Sequence, residues 1–173
     1  MILERYTALC NVPSDINENL PILKKHAQDC DMVVELGVRG IVSTWALLAG
    51  RPKRLLSVDI VHPSEHGGSL AEVYKAAGEE GIEFTFSLKS SLEIELPEHD
   101  FLFIDTIHTR EQLSQELERH ASKVKKYIAF HDTHIPELPE MIECILDFIQ
   151  QNPEWKMIED HPNNNGITVI SRI

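Results

Sequence analysis

Two carboxylates and two imidazoles stand at or just beyond the ends of two apolar runs in this chain. The run DFLFID at 100–105 delivers Asp105, and YIAFHDT at 127–133 delivers His131 and Asp132. If both runs are strands of one parallel sheet, their C-terminal ends open onto one crevice, with Asp105, His131 and Asp132 at its rim. Hard oxygen donors suit Mg²⁺, and an imidazole widens the choice to Mn²⁺ or Fe²⁺. His108 lies three residues past Asp105. Its imidazole has an ordinary pKa of about 6.5, near operating pH, which suits it to proton transfer. The plainer alternatives are a His108 that satisfies backbone carbonyls ahead of a helix, and a strand-end turn in which Asp132 caps the segment after it.

A second stretch, VVELGVRGIVST at 33–44, could hold a ligand. It starts as an apolar, β-branched run, Met32–Leu36, broken only by Glu35, which fits a strand buried on both faces. It then turns at Gly37, passes to Gly40 and enters a helix at about Ile41. Strand, glycine turn and helix in that order make the first half of a Rossmann-type site, with free helix N–H groups facing an anion. Ser43 and Thr44 add hydroxyls. Two glycines fall short of the full G-x-G-x-x-G fingerprint, but two acids strengthen the reading. Glu35 would be costly to bury without partners. Asp59 closes the next apolar run, 55–60, about twenty residues on, where nucleotide-binding α/β folds keep their ribose acid.

These residues need a sheet to position them. Strand-like runs at Met32–Leu36, Arg54–Ile60, Ile82–Ser87, Asp100–Asp105 and Tyr127–His131 alternate with helical patterns at Ile41–Ala49, Leu70–Glu79, from Thr109 and from Pro139. Such alternation predicts a parallel sheet with right-handed crossovers. Thr109 with Gln112 makes a capping-box pattern. Trp155–Glu159 and Ile167–Arg172 flank the turn NNNG at 163–166, which predicts a closing antiparallel hairpin. The expected fold is therefore α/β, a Rossmann-like, seven-stranded, mostly parallel sheet with helices on both faces and a C-terminal antiparallel hairpin. Ahead of it, residues 1–14 read as a loosely packed lead-in and Ile16–Asp29 as a helix that Pro21 disturbs unless it restarts there. The lead-in and helix, 1–30, could serve as a lid.

The chain has 173 residues, which suits one domain, 1–173. Its hydrophobic content of 42% argues against disorder, and no apolar run reaches membrane-spanning length. A net charge of −12 repels nucleic acid, so a small molecule is the expected partner. The opening MILERYTALC lacks a basic region followed by an apolar core, so no signal peptide is expected. Cys10, Cys30 and Cys144 are scattered and odd in number, which suits a reducing, cytoplasmic compartment. The oligomeric state stays open.

ELGVRG at 35–40 after the first strand, an acid after the second and the closing hairpin resemble the class I S-adenosylmethionine-dependent methyltransferases. FIDTIHTREQL at 103–113, YIAFHDT at 127–133 and the opening SDINENLPIL at 14–23 resemble the branch of small-molecule O-methyltransferases and cephalosporin hydroxylase-like methyltransferases. The resemblance covers nearly the whole chain. It implies methyl transfer from S-adenosylmethionine to a hydroxyl of a small molecule, a sugar among the candidates. It places Glu35, Gly37 and Gly40 around the methionine moiety, Ser43 at its carboxylate and Asp59 on the ribose. Ser90 or Ser91 falls at the adenine edge, where the usual acid is missing. It also implies a divalent metal held by Asp105, His131 and Asp132, assisting catalysis through Asp105, with His108 as general base. His131 stands where that family usually carries an oxygen donor, which leaves the metal's identity open. The competing classes are a nicotinamide-dependent oxidoreductase, disfavoured by the incomplete fingerprint and the hairpin, and a non-enzymatic cofactor-binding protein, which would have no need of a base.

Overall fold

The computed structural model describes residues 1–173. Every residue of strand β1 (Met32–Leu36) is buried, the pattern of a strand covered on both sides. It lies centrally in one sheet. β2 (Arg54–Asp59) and β3 (Glu83–Leu88) run parallel to it on one flank, and β4 (His99–Ile104) and β5 (Val124–His131) on the other. β6 (Trp155–His161) and β7 (Ile167–Arg172) complete seven strands in the order β3-β2-β1-β4-β5-β7-β6. β7 pairs antiparallel with β6, as the NNNG turn predicts, and antiparallel with β5 on its other side.

Side chains alternate across this sheet with period two. Val33, Leu55, Phe101 and Phe103 face one core, packed by helices α1 (Ile2–Cys10), α2 (Leu20–Ala27), α3 (Val42–Ala49) and α4 (Leu70–Glu79). Val34, Leu36, Leu102 and Ile104 face the other, under α5 (Arg110–His120) and α6 (Glu140–Gln151). No helix is long and apolar enough to cross a membrane.

The N-terminal segment departs from expectation. Residues 1–14 are not a loose lead-in, because α1 occupies Ile2–Cys10 and its Ile2 is only 1% exposed. The physical signal is the spacing Ile2, Tyr6, Leu9, one helical stripe that packs on the first core. The predicted helix over 16–29 shrinks to Leu20–Ala27, with Pro21 in its first turn, where a missing N–H costs nothing. Residues before it form a local turn instead. The Ser14 hydroxyl accepts from the nitrogens of Ile16 and Asn17, and the Asn17 side chain accepts from the Ser14 nitrogen.

That turn is fastened to the far end of the chain. Fully buried Asn19 donates to the carbonyls of Asn163 and Asn164, both at 3.2 Å. The Glu18 nitrogen donates to the Asn164 side chain at 2.7 Å. Asn164, Asn165 and Gly166 all adopt left-handed backbone, with φ of 50°, 65° and 95°. Asn and Gly tolerate that conformation best.

Candidate active site

Gly37 ends β1 with φ of 87°, and a Cβ there would lie 1.9 Å from the Asp105 carbonyl oxygen. Only glycine lets the β1 and β4 ends come together, sealed by the Asp105 nitrogen donating to Leu36 at 2.8 Å. Gly40 differs. Its φ is ordinary, and an added Cβ would meet only the His66 carbonyl oxygen, at 3.4 Å. The protein's own packing does not demand glycine at 40. The left-handed residues of this loop are Arg39 and Ile41, with φ of 46° and 64°, an unfavourable conformation for non-glycine residues. Ile41 caps α3 with no side-chain hydrogen bond, so the helix keeps free N–H groups at the loop.

Asp59 holds that loop. Its carboxylate accepts from the nitrogens of Val38 at 2.7 Å, Arg39 at 2.9 Å and Val61 at 2.9 Å. Arg39 points its guanidinium outward to Asp15, at 3.2 Å on the surface.

Glu35 is fully buried, yet satisfied. Ser43 and Ser57 donate to it at 2.5 Å each and Thr44 at 2.8 Å. Burial pushes its pKa up to about 7, against the pull of those three hydroxyls. Ser43 lines the cleft that also holds Arg39 and Gly40, with its hydroxyl 2.5 Å from Glu35. With no exposed surface and every contact internal, Glu35 organises β1, β2 and α3 rather than facing a ligand.

Asp105, His108, His131 and Asp132 converge. His108 Nε2 lies 2.6 Å from Asp132 Oδ2 and 3.4 Å from Asp105 Oδ1. His131 Nδ1 lies 3.4 Å from both Asp105 Oδ1 and Asp132 Oδ2. The other ring nitrogen, Nε2, donates to the carbonyls of Asp15 at 3.2 Å and Asn164 at 3.1 Å. The N-terminal turn and the β6–β7 turn thus aim His131 Nδ1 at the two carboxylates, a placement sequence reasoning missed. Asp105 and Asp132 raise the His108 pKa to about 9 against its partial burial. Burial opposes charge on His131, but the same carboxylates outweigh it and raise its pKa to about 10. Burial would raise Asp105 and Asp132, yet the two histidines hold both below the usual carboxylate range.

One ligand atom each from Asp105, His131 and Asp132 lies within 4.8 Å of the others. His131 Nδ1 and Asp132 Oδ1 are buried without a hydrogen-bond partner. Two anionic oxygens and an aimed, unpartnered nitrogen fit a divalent cation.

Two clefts meet at Asp105. One, of about 280 Å³, is lined by Gly37, Asp59, Ile60, Ser90, Ile107 and Gln112 among others. Ile60 and Ile107 are 63% and 56% exposed, an apolar pair at its mouth. The other, of about 440 Å³, is lined by Asp15, Arg39, Gly40, Ser43 and His66 among others. A further groove of about 490 Å³ lies around Cys144 and Trp155 between α5 and α6 and holds none of these site residues.

No protein-family model and no curated protein matches the chain. Solved structures do. The O-methyltransferase from Bacillus cereus in complex with SAH superposes with a TM-score of 0.68 at 14% identity, over 99% of this chain and 89% of that one. This is a methyltransferase fold. The SAH-bound Podospora anserina methyltransferase gives 0.65 at 12% identity, over 99% and 87%. The ribosomal protein L11 methylase from Lactobacillus delbrueckii gives 0.60 at 17%, over 89% and 78%. The methyltransferase fold thus recurs in proteins named for different acceptors, so the acceptor of this chain has to be argued from its own side chains.

Proposed function

We propose that this protein transfers a methyl group from S-adenosylmethionine to a hydroxyl of a small molecule, a sugar among the candidates, assisted by a divalent metal. The observation that carries the reading is Asp105, shared by both clefts and in reach of His108 and His131. In this reading Ile60 and Ile107 flank the adenine, Ser90 meets its edge and Asp59 takes the ribose hydroxyls. Gly37, Gly40 and Ser43 line the methionine end. S-adenosylmethionine would supply an electrophilic methyl group on sulfur.

Asp105, His131 and Asp132 would hold the metal, which would lower the pKa of an acceptor hydroxyl and fix its orientation. The chain's own work is alignment and proton removal. His108 rests protonated, because two carboxylates pull on it. A cation held by those carboxylates would weaken that pull, and His108 would then be the group placed to take the proton. The acidic surface favours a small acceptor over nucleic acid. The three free cysteines support a reducing, cytoplasmic setting.

Calorimetry with S-adenosylhomocysteine (SAH), with and without Mg²⁺, tests the cofactor. Binding is expected for SAH and not for NAD. Tight NAD binding with no response to SAH would instead support the nicotinamide-dependent alternative.

A further inference from the structure

Asn19 is a fully buried amide directed at a distant segment. It stands just ahead of α2 yet makes no side-chain bond to that helix, and its Oδ1 is buried without a partner. Its Nδ2 lies 3.2 Å from the carbonyl oxygens of Asn163 and Asn164 in the β6–β7 turn. An orphaned buried oxygen costs stability, so cohesion alone does not account for an asparagine here.

The Asn164 carbonyl has a second partner. His131 Nε2 lies 3.1 Å from it and 3.2 Å from the Asp15 carbonyl, one N–H shared between two acceptors. A carbonyl oxygen has two lone pairs, so Asn164 takes Asn19 and His131 together. These contacts hold the buried ring with Nδ1 turned to Asp105 and Asp132. Turned over about its Cβ–Cγ bond, the ring would put a carbon where each nitrogen stands and lose both sets of contacts at once. The Glu18 nitrogen, 2.7 Å from the Asn164 side-chain oxygen, fastens the N-terminal turn to the same residue.

We propose that Asn19 is a positioning residue for the cation site. By holding the Asn164 carbonyl it fixes the edge of His131 that meets a divalent ion, and it couples that ion to the docking of the N-terminal turn. The inference rests on the metal reading above and extends it to a residue that offers the ion no ligand atom. Such coupling is reciprocal: if the docked turn favours the ion, the ion favours the docked turn. Ser14, Asp15 and Ile16 of that turn line the 440 Å³ cleft, so an ion on His131 would also steady one wall of it.

The test uses Mn²⁺ alone as the probe. Binding is read from the free-ion signal in electron paramagnetic resonance, and docking of the turn from hydrogen exchange over 14–19 by mass spectrometry. Saturating Mn²⁺ should slow that exchange in wild type by about fivefold or more. Asn19→Ala, confirmed as folded by circular dichroism, should bind Mn²⁺ about tenfold more weakly. Glu18→Ala is the control for general loosening. It removes the exposed contact with the Asn163 side chain, at 2.6 Å, and leaves the Asn19 and His131 contacts in place, so its Mn²⁺ affinity should stay near that of wild type. Equal weakening in the two variants, or wild-type affinity in a folded Asn19→Ala, would overturn the positioning role and leave the metal reading standing. Should Asn19→Ala not fold, wild type decides, because unchanged exchange over 14–19 in saturating Mn²⁺ would overturn the coupling. A wild type that binds no Mn²⁺ would overturn the metal reading and this inference with it.

Discussion

The Asp59 carboxylate lies 2.7 Å from the backbone nitrogen of Val38, across the turn after β1. The acid proposed to bind a ribose is thus also the strut of the glycine loop. Asp59→Ala should weaken SAH binding by about 1.5–3 kcal/mol, roughly ten- to a hundredfold, while the domain stays folded. Calorimetry paired with circular dichroism checks this. An unchanged dissociation constant in a folded variant would remove the ribose role.

Gly37 and Gly40 should behave differently. Gly37→Ala forces a Cβ to 1.9 Å from the Asp105 carbonyl at a left-handed φ, so loss of the folded protein is expected. Gly40→Ala finds room, and its melting temperature should stay within a few degrees of wild type. If Gly40 borders the cofactor, the same variant should lose SAH affinity. Thermal melts with and without SAH separate the two cases.

Glu35 gives a pH dependence of stability with a definite sign. Its folded pKa, about 7, exceeds the ordinary glutamate value of 4.5, so the folded state holds a proton that the unfolded state has lost. Stability from this group is complete below about 4.5 and declines as pH rises through 7, by on the order of 3 kcal/mol. Urea midpoints at pH 5 and pH 8 should fall further apart in wild type than in Glu35→Gln, if the alkaline loss has this origin. Equal differences would show that Glu35 does not titrate in this range.

The metal and the base can be tested separately. Mn²⁺ should raise the melting temperature of wild type and not of Asp105→Asn, since an amide is the poorer ligand for a hard cation. With an acceptor in hand, chelator should abolish transfer. His108→Ala should keep SAH binding and slow turnover by about 10²–10⁴. Full activity in excess chelator would remove the metal and leave the base. An active His108→Ala enzyme with an unchanged pH profile would do the reverse.

The amino-acid sequence by itself determined the sheet and the convergence of the site. The continuous apolar run in DFLFID, the β-branched run before Gly37 and the NNNG turn are local signals, and each element arises from its own residues. A parallel sheet then carries Asp105, His131 and Asp132 to one edge whatever the details of packing. The helix at Ile2–Cys10 was also legible, in the stripe Ile2, Tyr6, Leu9, although a chain terminus invites a looser reading. Only the tertiary structure decided the polarity of the polar groups. Glu35 reads as a lone acid until Ser43 and Thr44 of α3 and Ser57 of β2 surround it. Gln112 reads as half of a capping box, yet Thr109 caps α5 while the Gln112 side chain turns to Glu116 and Ser91. His131 is aimed by the carbonyls of Asp15 and Asn164, which stand 116 and 33 residues away in the chain. A hydrogen bond needs its partner within about 3 Å, and partners that far apart in sequence meet only after the chain has closed on itself.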